Sequence, residues 1–116
     1  MLFDFLSMAN NYEQRKVANT EINGAVIDTC AVTDSTKPYE TGICHPAYNG
    51  GRWVIVEEYS SKEEAQAGHD KWVLTFTDKL PSQLTDVGTS EINQLRVMFK
   101  ESPEEDVYLQ ENLDSQ

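Results

Sequence analysis

Cys44 and His45 are neighbours, and nowhere else in the 116 residues does a soft nucleophile stand beside a base. A thiol–imidazole pair runs nucleophilic chemistry when both side chains reach one substrate. The flanking residues read as a strand, however, and successive side chains on a strand point to opposite faces. His45 also precedes Pro46, which biases it toward the end of that strand. The pair is therefore read as a packed cysteine followed by a loop histidine. Strand geometry likewise separates Glu57 from Glu58, the nearest approach to paired carboxylates. Zinc would require Cys30, Cys44, His45 and His69 to converge, and no Cys-x-x-Cys or His-x-x-x-His spacing supports that. No phosphate-cradling glycine loop or nucleophile elbow is present. The expectation is a non-enzymatic protein with no catalytic, metal-binding or cofactor-binding residues and no cofactor.

The elements that position these residues follow from punctuation and period. Asn23-Gly24 and Asn49-Gly50 are strong hairpin signals. The first separates a polar candidate strand, 15–22, from the β-rich run 25–33. The second, extended by Gly51, separates 39–44 from 52–59, and the turn-forming run 34–38 joins the middle two strands. Four strands on short turns predict an antiparallel meander. The period then switches to 3.6. Ser60 and Ser61 are each followed three residues later by a glutamate, Glu63 and Glu64, at capping-box spacing. Ala65, His69, Trp72 and Phe76 form one helical stripe, widened by Val73. A helix over about 61–77 packing on the sheet predicts a two-layer α+β core at 12–80. Mid-helix Gly68 is read as allowing close approach of a neighbour, and His69 as a core-edge residue.

An apolar N-terminal arm, 1–11, precedes that core. It carries Asp4, lacks a basic region and is too short for a signal peptide. Residues 81–100 read as a connection with a short second helix at 90–100, although Leu95, Val97 and Phe99 also alternate as a strand would. Residues 101–116 hold six acids and no base, and such a tail is expected to be mobile alone.

Composition narrows the function classes. Nine basic and 20 acidic residues give a net charge of −11, which repels nucleic-acid phosphate and argues against direct nucleic-acid binding. No apolar run approaches the roughly 20 residues that span a bilayer. Two cysteines are too few for a disulfide scaffold, so a reduced intracellular setting is expected. Candidate partner-binding residues are Leu2, Phe3, Phe5 and Leu6 in the arm, and Tyr48 and Trp53 beside the glycine-rich turn. Glu63, Glu64 and Asp70 on the helix and Glu104, Glu105 and Asp106 in the tail complete the set.

The segment Tyr39-Glu-Thr-Gly-Ile-Cys-His-Pro-Ala-Tyr-Asn-Gly-Gly-Arg-Trp-Val-Ile-Val-Glu-Glu-Tyr59, followed by Ser61-Lys-Glu-Glu-Ala-Gln-Ala-Gly-His-Asp-Lys-Trp-Val73, carries a resemblance. Together with Asn11–Val17 and Asp28–Asp34, it resembles small proteins of unassigned function encoded by tailed bacteriophages. The resemblance covers about residues 10–92 and is most specific in the helix. It implies a phage origin, and it brings no catalytic residues. Two expectations follow for a protein located in the virion or the host cytoplasm. The first is a virion component binding a head, neck or tail protein through its sheet edge and termini, with self-association through the arm as a further option. The second is an early inhibitor whose acidic surface occupies the basic cleft of a host nuclease, another nucleic-acid-binding protein or a defence protein.

Overall fold

The computed structural model describes residues 12–33, 35–88 and 106–111. Leu2, Phe3, Phe5, Leu6, Glu104, Glu105 and the expected second helix at 90–100 lie outside the described residues. A single helical turn, α1 (Tyr12–Arg15), leads into β1 (Lys16–Ile22), β2 (Ala25–Ala31), β3 (Tyr39–Cys44) and β4 (Val54–Tyr59). These four pair in sequence order, each antiparallel to the next. The first turn is the expected two-residue hairpin. Asn23 and Gly24 take φ values of 49° and 82°, and Ile22 lies opposite Ala25. Positive φ at both central positions is what the Asn-Gly pair tolerates.

Asn49-Gly50 does something else. The β3–β4 connection spans 45–53 and contains a short 3-10 turn, Asn49–Gly51, in which φ is 51°, 62° and 84°. This left-handed run reverses the chain, and Tyr48, just before it, is 1% exposed. Tyr48, a candidate partner-binding residue from the sequence, is therefore corrected to a core residue. Its ring lies edge-on to His45 and Phe76, at 5.6 and 6.3 Å between centroids, and its hydroxyl donates to the Pro81 carbonyl.

Inward residues alternate along β2, with Ala25, Ile27 and Thr29 buried and Val26, Asp28 and Cys30 half-buried. In β4 the alternation is broken by a bulge. Thr41 lies opposite Glu57 while Gly42 lies opposite Ile55, leaving Val56 as the extra residue. Such a bulge resets the phase of the strand beyond it. Unbroken alternation from Val54 would turn Glu57 and Tyr59 outward; here both reach the helix side.

The helix, α2 (Lys62–Asp78), starts one residue later than expected because Ser61 is its cap. The Ser61 hydroxyl accepts from the Glu64 amide at 3.1 Å, and the Glu64 carboxylate accepts from the Ser60 amide at 3.3 Å. This is the reciprocal pattern that satisfies free amides at a helix start. At the other end, the Asn23 side-chain amide donates to the Phe76 carbonyl at 2.7 Å, tying the first hairpin to the last helical turn. Ala65, Gly68, His69 and Phe76 are buried against the sheet, flanked by partly buried Trp72 and Val73.

A second, two-stranded sheet completes the described residues: β5 (Gln83–Thr85) antiparallel to β6 (Val107–Leu109). Leu84 is buried, and Tyr108 packs against the same core. The Glu111 amide donates to the Ala47 carbonyl at 2.8 Å, and the Val87 amide to the Ile55 carbonyl at 2.8 Å. Residues 81–88 are thus more than a connection. Within the acidic tail, Val107–Leu109 form a strand, a short β-forming run that average charge conceals.

Gly68 has a steric reason. A Cβ there would overlap the Tyr59 ring, so the helix rests directly on Tyr59. Alanine gains about 1 kcal/mol of helix propensity over glycine, whereas forced overlap in a packed interface typically costs about 1–3 kcal/mol. Gly68→Ala is expected to lower the urea midpoint despite its propensity, and to be milder in a Tyr59→Leu background. A simple stabilisation by Gly68→Ala would show that the ring does not press on this position.

Candidate functional site

Among the described residues, two clusters of polar side chains stand out, one sealed between the layers and one on the outer face of the sheet. Inside, His69 is 2% exposed, with Nε2 2.9 Å from the Thr20 hydroxyl and Nδ1 2.8 Å from that of Thr29. Thr29 lies 2.6 Å from the Thr41 hydroxyl, which lies 3.0 Å from the Tyr59 hydroxyl. Tyr59 donates to Glu57 Oε1 at 3.2 Å. That same oxygen accepts from Lys71 Nζ at 2.6 Å and Trp72 Nε1 at 2.9 Å.

The donors in this chain can be ordered, because each hydroxyl has one proton and an ionised carboxylate has none to give. Tyr59 spends its proton on Glu57, so Thr41 must donate to Tyr59 and Thr29 to Thr41. Thr29 then accepts from His69, which places the imidazole proton on Nδ1. The remaining nitrogen, Nε2, accepts from Thr20. Burial pushes the Glu57 carboxyl upward, but hydrogen bonds from Lys71 and Trp72 outweigh it and hold the group below its usual range. Burial lowers the His69 value, against the pull of Asp70 and Asp28, and so favours neutral imidazole. Burial, with the adjoining Glu57 charge, raises Tyr59 to about 12. Both His69 nitrogens are occupied and the ring is sealed from solvent, so this chain holds the layers together and offers no base to a substrate.

The other candidate nucleophiles are placed apart. Cys44 Sγ donates to the Gly51 carbonyl at 3.1 Å, while His45 Nδ1 accepts from the Ala47 amide at 2.9 Å. Cys30 lies opposite Glu40 and Cys44 lies opposite Val26. Four residues of strand separate the two cysteines, roughly 14 Å at the usual rise, far beyond disulfide reach. Both are free thiols. Burial, then Asp28 and Glu40, push the Cys30 thiol up to about 12, which leaves it protonated and a poor nucleophile. Among the described residues, no group of three or more His, Cys, Asp or Glu side chains is placed to hold a metal ion.

Outside, the sheet face turned away from α2 is built in cross-strand rows. Asp28, Gly42 and Ile55 form one row, and Cys30, Glu40 and Glu58 the next. Trp53 leans over Gly42. A Cβ on that glycine would lie 3.2 Å from the indole and 3.3 Å from the Ile55 side chain. The ring is 50% exposed. Asp28, Cys30, Glu40, Gly42, Trp53 and Ile55 line an open-sided hollow of about 200 Å³. At its β1 side, Asp28 accepts from the Tyr12 hydroxyl and, at 2.8 Å, from the Asn19 amide.

Of the sequence candidates, Trp53 belongs to this outer surface and Tyr48 does not. Glu63, Glu64 and Asp70 all stand exposed on α2, although Glu64 is committed to the cap and Asp70 accepts from Gln66 at 3.0 Å. The Asp106 carbonyl accepts from the Asp86 amide at 2.7 Å beside the small sheet. Sequence reasoning missed Asp28, Glu40, Gly42 and Ile55. The alternation of β2 shows that Asp28 and Cys30 share a face. Their meeting with Trp53 depends on β3–β4 register, which the bulge sets. No helix among the described residues is long and apolar enough to cross a membrane. Comparisons with family models, with curated proteins and with solved structures found no match to this chain.

Two measurements check the interior. Long-range proton–nitrogen NMR correlation at pH 7 should show His69 protonated at Nδ1 and bare at Nε2; the opposite tautomer would break the donor order. Stability should also fall on acidification. A histidine lowered in the folded state binds its proton more readily when unfolded, so its share is lost as pH drops through the unfolded value near 6.5. The Glu57 share is lost at lower pH, as the folded carboxylate protonates. Thermal melts at pH 7.5, 6 and 5 are expected to show a progressive drop, with His69→Gln removing the part between pH 7.5 and 6.

Proposed function

We propose that this chain is a non-enzymatic protein-binding module, and specifically a bacteriophage virion component that docks on a head, neck or tail protein. The observation that carries the reading is the two-faced sheet. One face is covered by α2, and its polar groups are consumed internally. The other presents a half-exposed tryptophan seated on glycine beside Ile55, with carboxylates around it. Exposed aromatic side chains set among polar neighbours are typical anchors of protein interfaces. The edge of β1 extends this surface, as does the N-terminal side, where Tyr12 is tied to Asp28. Phage origin and the virion setting rest on the resemblance over about residues 10–92.

A second reading has one observation in its favour. Glu63, Glu64 and Asp70 form an exposed acidic strip on α2, as an inhibitor of a basic host nuclease or defence protein would need. That reading predicts steep salt sensitivity and loss of binding on charge reversal along the strip.

Quantitative mass spectrometry of purified particles of the encoding phage, beside infected-cell lysate, separates the two. Enrichment at a fixed ratio to a capsid or tail protein is the expected result, with Trp53→Ala depleting the chain from particles roughly tenfold or more, as loss of an interface anchor does. Presence in lysate without enrichment would move the assignment to the inhibitor.

A further inference from the structure

Both Asn-Gly pairs carry the same latent chemistry, and the fold restrains them unequally. The amide nitrogen after an asparagine can attack the asparagine carboxamide, and glycine, without a Cβ, obstructs that attack least. The five-membered ring that forms holds ψ of the asparagine at about −120°, the value at the first central residue of a type II′ turn. Asn23 and Gly24 have positive φ, 49° and 82°, as in a type I′ turn. Type I′ and II′ turns close the same two-residue hairpin and differ by a flip of the peptide between the central residues. That flip brings Asn23 to the ring-forming geometry while Ile22 stays opposite Ala25. Both residues are exposed, and among the described residues the Asn23 carbonyl, which must swing in the flip, accepts no hydrogen bond. One bond restrains the side chain, from its amide nitrogen to the Phe76 carbonyl. The 49–50 peptide is tied down instead. The Asn49 carbonyl accepts from the Arg52 amide at 3.1 Å and from Arg52 Nε at 3.3 Å, and the side-chain amide donates to the Trp53 carbonyl at 3.3 Å. Asn49 is also half-buried.

We propose that Asn23 is a site of spontaneous modification in the folded chain, converted to aspartate or isoaspartate through a cyclic imide with Gly24, while the β3–β4 loop protects Asn49. The Gly24 nitrogen gives its proton to solvent and bonds to Asn23 Cγ. The Cγ–Nδ2 bond breaks, and Nδ2 takes a proton from water and leaves as ammonia. Water then opens the imide. Splitting the new N–Cγ bond gives aspartate on the original backbone, and splitting the backbone C–N bond gives isoaspartate linked through Cγ. One water is consumed, one ammonia is released and nothing is oxidised or reduced. The donor to Phe76 departs with the ammonia. The carboxylate that replaces it stands at the C-terminal end of α2, where the helix dipole is negative and a base would be favoured. Isoaspartate also lengthens a turn whose two residues set the β1–β2 register. Conversion therefore unfastens the first hairpin from the helix. The inference is independent of the docking reading.

The full-length chain is incubated at pH 7.5 in native buffer and, in parallel, in concentrated urea. Peptide mapping by mass spectrometry then follows the gain of one mass unit at each asparagine, and electron-transfer fragmentation separates isoaspartate from aspartate. In native buffer Asn23 is expected to convert at least roughly tenfold faster than Asn49, as two additional restraining hydrogen bonds on Asn49 imply. In urea the two rates should come together, because the flanking glycine is common to both. Equal or faster conversion of Asn49 in native buffer overturns the proposal. So does conversion of both in urea with neither in native buffer, or a ratio that urea leaves unchanged, which would place the cause outside the fold. The urea midpoint of Asn23→Asp, a stand-in for the aspartate product, should lie below that of the parent chain. An unchanged midpoint would show that the hairpin is not unfastened from the helix.

Discussion

The carboxylate of Glu57 is the fixed point of the interior. It accepts from Lys71, Trp72 and Tyr59 at one oxygen, and through Tyr59 it dictates the direction of every hydrogen bond back to His69. A histidine at 2% exposure between a helix and a sheet is tolerable only because each nitrogen has a partner. Removing any member strands a buried donor or acceptor at a typical cost of about 1–3 kcal/mol. The bulge in β4 exists in the service of this arrangement, since without the extra residue Glu57 would face solvent and the chain of donors would have no terminus. Gly68 belongs to the same constraint, because the helix must approach Tyr59 closely for His69 to reach Thr29.

What could be read from residues alone divides along physical lines. The Asn23-Gly24 turn, the β2 alternation and the capped helix are local signals, and each was legible with boundaries good to one or two residues. The stripe of Ala65, His69, Trp72 and Phe76 identified the buried side of α2. Three features were not legible. A one-residue bulge leaves no mark in composition, so the inward turn of Glu57 and Tyr59 was hidden. The second Asn-Gly pair looks like the first, yet its third left-handed residue makes it a loop that buries Tyr48. The β6 strand is three residues in an acidic stretch, visible only through its partners. Trp53 was legible as a candidate because it borders the turn; the residues that surround it were not, because cross-strand register gathers them.

The distribution of reactive groups bears on function. Both nitrogens of His69 and the sulfur of Cys44 are engaged within the fold, His45 Nδ1 accepts from the Ala47 amide, and Cys30 is held protonated. The outer sheet face, by contrast, combines a half-exposed ring with charge. A rigid two-layer body with one finished face and one open face suits a part that is fitted against another protein. Under the proposed docking reading, that open face is preorganised, which limits the entropy lost on association.

The Glu111–Ala47 and β5–β6 contacts have a consequence for the order of assembly. The four-stranded sheet and α2 join segments that are neighbours in the chain, so their loops are short and their closure entropy is small. The β6 strand must instead return across the residues between Thr85 and Val107 before Leu109 can lie opposite Gln83. On a ribosome, sheet and helix are complete before that strand emerges. The last strand is therefore a clasp that closes on a body already formed, sealing Leu84 and fastening the loop that carries Ala47 and Tyr48.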